Sequence, residues 1–190
     1  MKTLKKFLPV VALALVAVAI VLSFFAAMKL TVAGSTGTYK HIIWGCDKIV
    51  GEDGSEVLIE DMIGVKRVSI AVVPFIGLIL MLLGGVGALL VALLAKKPGA
   101  KWLVLVFGLL ILAGAIMQFF ALNAFARAMI ETTYKKLGIT DKEQIERAIK
   151  ESIENLKQQN PKFVVSTIMG ILGCVGGASA IVAAVLPEKK

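Results

Sequence analysis

Four long stretches of this 190-residue chain contain no charged side chain at all. Charged residues make up only 18% of the whole, against about a quarter in an ordinary soluble domain. The apolar residues do not recur at helical spacing, as in a soluble bundle. They gather in blocks, which excludes a soluble enzyme, a disordered tail and a disulfide scaffold. There are two cysteines and one histidine, so a histidine-based triad has a single candidate, His41. No GxSxG, HExxH, P-loop or GxGxxG stands in a usable context: Gly84-Gly85-Val86-Gly87 lies inside an apolar run and cannot cradle a phosphate. No aromatic-basic interleaving points to nucleic acid.

What is present is 58% hydrophobic residues and a mean hydropathy of +0.87. The uncharged blocks are Phe7 to Met28, Val68 to Ala95, Trp102 to Ala126 and Phe163 to Leu186. A bilayer core about 30 Å thick needs about 20 apolar residues per helix. Open sheets fail in lipid, and barrel strands are too short for these runs. The expectation is an all-α membrane fold: one domain over residues 1–190, four transmembrane helices (7–28, 68–95, 102–126, 163–186) and a small extracellular cap. Lys2, Lys5 and Lys6 ahead of the first block resemble a signal peptide. The apolar run, however, exceeds the usual 7–15 residues or so, and Phe24-Phe25-Ala26-Ala27 is a poor cleavage site. The first block therefore reads as a retained helix.

Lysine and arginine set the orientation. The first six residues, the turn 96–101 and the tail 187–190 hold 8 of the 21 basic residues and one of the 13 acids. The outside loops, 29–67 and 127–162, hold 13 basic residues and 12 acids. Both termini and the short turn are thus expected in the cytoplasm of a multi-pass cell-membrane protein. The net charge of +8 then reflects topology and attraction to anionic lipid.

Loop one opens with Gly34 to Val50, rich in Thr, Tyr, Ile, Trp and Val, which predicts a strand. Gly51-Glu52-Asp53-Gly54 is a turn signal. Ser55 to Ile59 predicts a second strand, completing a β-hairpin, and Glu60 to Arg67 a helical lead into block two. In loop two, block three is expected to run on without a break to Leu137, about 54 Å from Trp102, with Gly138 as its C′ residue. Thr140 with Glu143 suggests a capping box. Ile145, Ala148, Ile149, Ile153 and Leu156 form an apolar stripe on the next helix, ended by Asn160-Pro161. Glu143/Arg147 and Glu146/Lys150 are expected i,i+4 pairs. The stripe reads as packing on the block-three helix or the hairpin, or as a contact face for a partner.

The membrane blocks carry few polar groups, Gln118 and Asn123 among them. They read as helix–helix hydrogen bonding or as a weakly polar pore lining. Gly173 and Gly177 form a GxxxG, expected to seal the bundle and available for lateral contact. Pro74 predicts a kink in block two. Cys46 and Cys174 lie too far apart to pair, leaving Cys46 as a free thiol or an intermolecular bridge. His41, Cys46 and Asp47 are too few for zinc, and no metal, cofactor or catalytic residue is predicted. Trp44 reads as a packing or interfacial anchor.

This layout resembles the claudin and peripheral-myelin-protein superfamily of tetraspan proteins. The shared features are cytoplasmic termini, a strand-rich first outside loop, a very short inner turn and a third helix extending past the membrane. Family members carry Gly-Leu-Trp-x-x-Cys and a second cysteine. Here Ile42-Ile43-Trp44-Gly45-Cys46 supplies the Trp and one Cys, one residue closer together, and loop one has no second cysteine to close a disulfide. The resemblance implies a membrane organiser that polymerises side by side or contacts a facing membrane. The expected function is a non-enzymatic structural or assembly protein. Its partners would be the lipid bilayer and further copies or other membrane proteins, without nucleic acid. Its contacts would run through Tyr39, Trp44 and Cys46 and through Gly173 and Gly177. The alternatives are a subunit of an oligomeric ion or small-molecule channel, with Gln118 and Asn123 on its pore face, and an accessory subunit of a larger membrane complex.

Overall fold

A computed structural model describes residues 2–32, 35–94, 100–159 and 161–186. Most of the inner turn, residues 95–99, and the tail, 187–190, lie outside the described residues, as do Gly34 and Asn160. The helices are α1 (Lys2–Ser23), α2 (Ile59–Ile63), α3 (Val72–Leu94), α4 (Ala100–Gln118), α5 (Ala121–Lys136), α6 (Lys142–Gln158) and α7 (Val164–Val185). The strands are β1 (Met28–Val32), β2 (Ser35–Tyr39), β3 (Lys48–Gly51) and β4 (Glu56–Leu58). The chain forms two compact units, residues 1–22, 76–119 and 167–190 in one and 23–75 and 120–166 in the other.

The first unit is helical. Among the described residues three helices are long and apolar enough to cross a membrane: Val72–Leu94, Lys101–Gln118 and Val164–Val185. The apolar part of α1, Phe7–Ser23, is shorter. Small residues set the helix order. A Cβ on Gly77 would come within 2.6 Å of Gly114 O, and one on Gly84 within 2.6 Å of Phe107 O, so α3 lies against α4. A Cβ on Gly177 would come within 2.7 Å of Leu112 of α4, and one on Gly176 within 3.3 Å of Ala12 O of α1. Gly85 faces Leu13 and Val16 of α1. The ring of neighbours is therefore α1–α3–α4–α7. Met81, fully buried, reaches Gly173 across the middle. Backbones this close gain dispersion contacts, the main attraction between helices in lipid.

Large apolar side chains such as Val21, Leu83, Leu94, Leu103, Ile171 and Val185 stand on the outside of this unit, while Gln118 is fully buried. Pro74 sits in the first turn of α3, where its missing N–H falls among the helix's unpaired donors. It therefore falls where a proline is tolerated, at the start of α3.

The second unit is α+β. Loop one holds a four-stranded antiparallel meander in the order β1-β2-β3-β4, where the sequence predicted a two-stranded hairpin. Two strands are added: β1 comes from the end of block one, where α1 stops at Ser23 and Met28 begins the strand, and the expected strand within Gly34–Val50 is divided into β2 and β3 by residues 40–47. Met28 pairs with Tyr39, Tyr39 with Ile49, and Ile49 with Val57. These residues share the face on which Tyr39 meets Phe125 of α5 edge-on, at 5.7 Å and 68°. The other face is polar, with Thr31 bonded to Thr36 and Lys48 to Glu56 at 2.6 Å. The predicted turn at Gly51–Gly54 joins β3 to β4.

Loop two supplies α5 and α6, which pack together. The expected unbroken helix from Trp102 to Leu137 is interrupted at Phe119-Phe120. Phe119 N–H bonds back only three residues to Ile116 O, and Phe120 leaves helical geometry at φ −91°, ψ 11°. The Phe119 ring lies over Gly170 of α7, so packing rather than a breaker residue holds the break. At the far end of α5, Gly138 takes φ +71°. Ile139 N–H bonds to Tyr134 O and Gly138 N–H to Lys135 O, a Schellman closure. The next helix is capped by Asp141, which accepts from Glu143 N and Gln144 N, rather than by Thr140. Asp141 stands one residue nearer the first helical turn, and its carboxylate suits the positive helix end. Of the predicted stripe, Ile149 is buried and Ile145, Ala148, Ile153 and Leu156 are half-buried.

Candidate functional site

The predicted contact residues Tyr39, Trp44 and Cys46 fall on or beside the β2–β3 connection, residues 40–47, which the second unit folds around. Its middle is apolar and fully buried at Ile42, Ile43 and Cys46. Its backbone ties two distant segments. On one side Ile42 N–H bonds to Ala26 O, and the His41 ring bonds through Nδ1 to Phe24 O at 2.9 Å. On the other, Val68 N–H bonds to Cys46 O and Ala71 N–H to Ile43 O. This explains why block one ends its helix early. Helix-end carbonyls need partners, and here a loop seventeen residues on supplies them. His41 holds φ +57° to do so, a left-handed conformation that histidine adopts more readily than most residues.

Trp44 is an anchor. Its ring stacks on Phe24 at 4.8 Å and 6° and meets Phe75 edge-on at 5.3 Å, while Nε1–H donates to Ser23 Oγ at 3.0 Å. The neighbouring Gly45 takes φ +106°, and a Cβ there would fall 2.7 Å from Val68 O. A side chain at this position would break the contact with the Arg67–Val68 strip. Arg67 Nε donates to Gly45 O at 3.1 Å, closing the same corner.

Cys46 has no exposed surface and is a free thiol, as is Cys174. Its Sγ–H donates to Lys48 O at 3.4 Å. Burial pushes the thiol up to about 11, against the lowering hydrogen bond. Burial also raises the Tyr39 phenol, with the Cys46 charge adding to it. A protonated, covered thiol is a poor nucleophile, and an intermolecular bridge through Cys46 would require this loop to open.

The other predicted residues part company. Gly173 and Gly177 touch Ala115, Met81 and Leu112 within the same chain, so their close-approach face is already filled. Gln118 ends α4 in the first unit, with Nε2 donating to Gly114 O at 3.4 Å. Asn123 is half-buried in α5 of the second unit. The break at Phe119-Phe120 falls between them in the chain, with Gln118 the last residue of α4 and Asn123 in the first turn of α5. Among the described residues no group of three or more His, Cys, Asp or Glu is placed to hold a metal.

Sequence reasoning missed Arg127. It donates to Glu131 at 2.7 Å and to Glu146 of α6, and these carboxylates hold the guanidinium above its ordinary value, Glu131 first. Glu146, expected to pair with Lys150, turns instead across the α5–α6 seam. A cavity of about 750 Å³ opens beside it, lined by α6 side chains that include Arg147, Lys150 and Lys157. The signal in the sequence was a cation on α5 facing the i,i+4 charges of α6, legible only once α5 is known to end one helix and start another. No protein-family profile matches this chain, and no curated protein does.

Proposed function

We propose that this is a non-enzymatic integral membrane protein of structural or assembly function, claudin-like in layout, in which α1, α3, α4 and α7 all cross the membrane. The observation that carries the reading is that both long loops fold as one unit. Lys29 and Lys162 exchange two backbone hydrogen bonds, Thr132 bonds to Ser69, and Lys136 to Gly64 O. Segments 23–75 and 120–166 therefore share one side, as two crossings by α3 and α4 between them require.

Exposed aromatics support a fourth span by α1. Phe7 and Phe24 bracket it, and Trp102 and Phe119 bracket α4, each pair seventeen residues apart and each ring at least half exposed. At about 1.5 Å per residue that is about 26 Å, close to the thickness of a hydrocarbon core with aromatic belts. The lysine distribution favours cytoplasmic termini with the α+β unit outside. With no Asp, Glu, Lys, Arg or His in the apolar stretches 7–28, 68–95, 102–126 and 163–186, these segments offer no carboxylate or histidine relay of the kind a pump uses. Contact surfaces are what remain for it to work with.

The test is native mass spectrometry of the full chain from mild detergent and from lipid nanodiscs, with and without reductant. Multimers that persist under reductant support lateral assembly through folded surfaces. A monomer in both media over a hundredfold concentration range would sink it.

A further inference from the structure

The second unit carries two exposed surfaces of opposite charge. One is the ridge formed by the β3–β4 turn, β4 and α2. Residues 52–61 contain five acids and no Lys or Arg. Between these acids Val57 and Leu58 stand 44% and 48% exposed, and Met62, next after Asp61, 55%. Lys48 and Lys29 pair with Glu56 and Glu52 on the sheet, which leaves Asp53, Glu60 and Asp61 to define the ridge's field. β4 is also the open edge of the sheet, and all three of its residues are exposed.

The other surface is the α5–α6 groove. Its floor is Ile149 and Ile153, and Arg147, Lys150 and Lys157 rise beside it with Glu154 interspersed. The Arg127–Glu146 pair closes one wall and cancels itself. The remaining lining carries a net charge of +2 over an apolar floor. An acidic ridge with aliphatic residues between its charges is the shape and charge this groove accepts.

Resting on the assembly reading above, we propose that the β4–α2 ridge of one copy docks into the α5–α6 groove of a second copy. Both halves of the complementary pair belong to one chain, so each copy offers one and receives one. The contact is heterologous: it extends side by side into a row, or closes into a ring if the rotation allows. It also supplies a lateral surface where the Gly173/Gly177 face cannot, since that face is filled within the chain.

The experiment uses two full-length variants, Lys150→Glu/Lys157→Glu in the groove and Glu60→Lys/Asp61→Lys on the ridge, all at exposed positions. Association is followed by sedimentation and by energy transfer between labelled copies in detergent. Each variant alone, with like charges facing, is expected to associate at least about tenfold more weakly than the wild type. An equimolar mixture restores association, because the reversed groove of one variant meets the reversed ridge of the other. Equal assembly of both variants and the wild type would overturn the ridge–groove contact and leave lateral assembly standing. Weak variants whose mixture stays weak would overturn it as well. A wild type monomeric under every condition would overturn both. Should a variant misfold, salt decides on the wild type alone. Going from about 0.1 M to about 1 M shortens the Debye length from about 10 Å to about 3 Å; association is expected to fall, and salt-independent association would overturn the contact.

Discussion

The two units of this protein follow opposite burial rules. In the helical unit Leu94, Trp102 and Val185 are exposed by 69–73% while Gln118 is fully buried. In the α+β unit Phe125, Ile42, Ile43 and Cys46 are interior, and Lys29, Glu52, Arg127 and Glu131 are half-exposed at the surface. One unit turns apolar side chains outward and is held by backbone proximity. The other turns charged side chains outward and is held by burying apolar area. Apolar residues therefore sit differently in each: Leu94 and Val185 face outward in the first, and Ile42 and Ile43 face inward in the second.

The largest expected test of this contrast is Phe125→Ala. Phe125 is 1% exposed and packs on Tyr39, so truncation should cost about 3–5 kcal/mol. Limited trypsin digestion should then cut at Arg127, Lys135 and Lys136 while the helical unit stays protected. Loss of all helical signal together would break the separation between the units.

Next comes Gly114→Val, which wedges α4 from α3 at the Gly77 contact. Overpacking of this kind costs about 1–3 kcal/mol. It should lower the melting temperature of the helices in detergent and leave the near-ultraviolet signal of Trp44 unchanged at low temperature.

Alkaline pH should act on the second unit. The Cys46 thiol titrates at about 11 when folded and at about 8.5 in an unfolded chain. Between these values the folded chain holds the extra proton, so stability falls as pH rises through that window and is untouched below it. The raised Tyr39 phenol acts in the same direction at higher pH. Cys46→Ala should flatten the decline in a denaturant series run across those pH values; an unchanged slope would place the titration elsewhere.

A smaller effect is expected from Trp44→Phe. It keeps the stack on Phe24 but removes the hydrogen bond to Ser23, a loss of about 1 kcal/mol, measured by urea unfolding in micelles. Smallest is Arg127→Ala. Its ion pairs are half-exposed, and such pairs contribute about 0–1 kcal/mol. A shift larger than that of Trp44→Phe would show that the α5–α6 seam is less wet than it looks.

Much of the chain was legible. The Gly51–Gly54 turn, the Gly138 end of α5 and the stripe through Ile149 all follow from local chemistry, and so do the ends of α7. The misses share one cause. Met28-Lys29-Leu30-Thr31-Val32 alternates apolar and polar residues directly behind apolar block one, and its strand is completed by pairing with β2. Phe119-Phe120 contains neither glycine nor proline, so nothing local announces a break. The candidate contact residues were legible as types and not as places: Trp44 is the anchor it promised to be, whereas Cys46 and Gly173 turned out to be enclosed.

The sequence by itself determined which segments are fit for a membrane, because transfer of about twenty consecutive apolar residues out of water is a local sum. It also determined the charge asymmetry that favours one orientation. Only the tertiary structure decided where those segments end and which helices are neighbours. A helix terminus is fixed by whichever distant donor reaches its last carbonyls, as His41 reaches Phe24 O. A neighbour is fixed by whichever glycine lets a backbone come close, as Gly77 does for α4. Both depend on pairs of residues far apart in the chain, and no window along the sequence contains them.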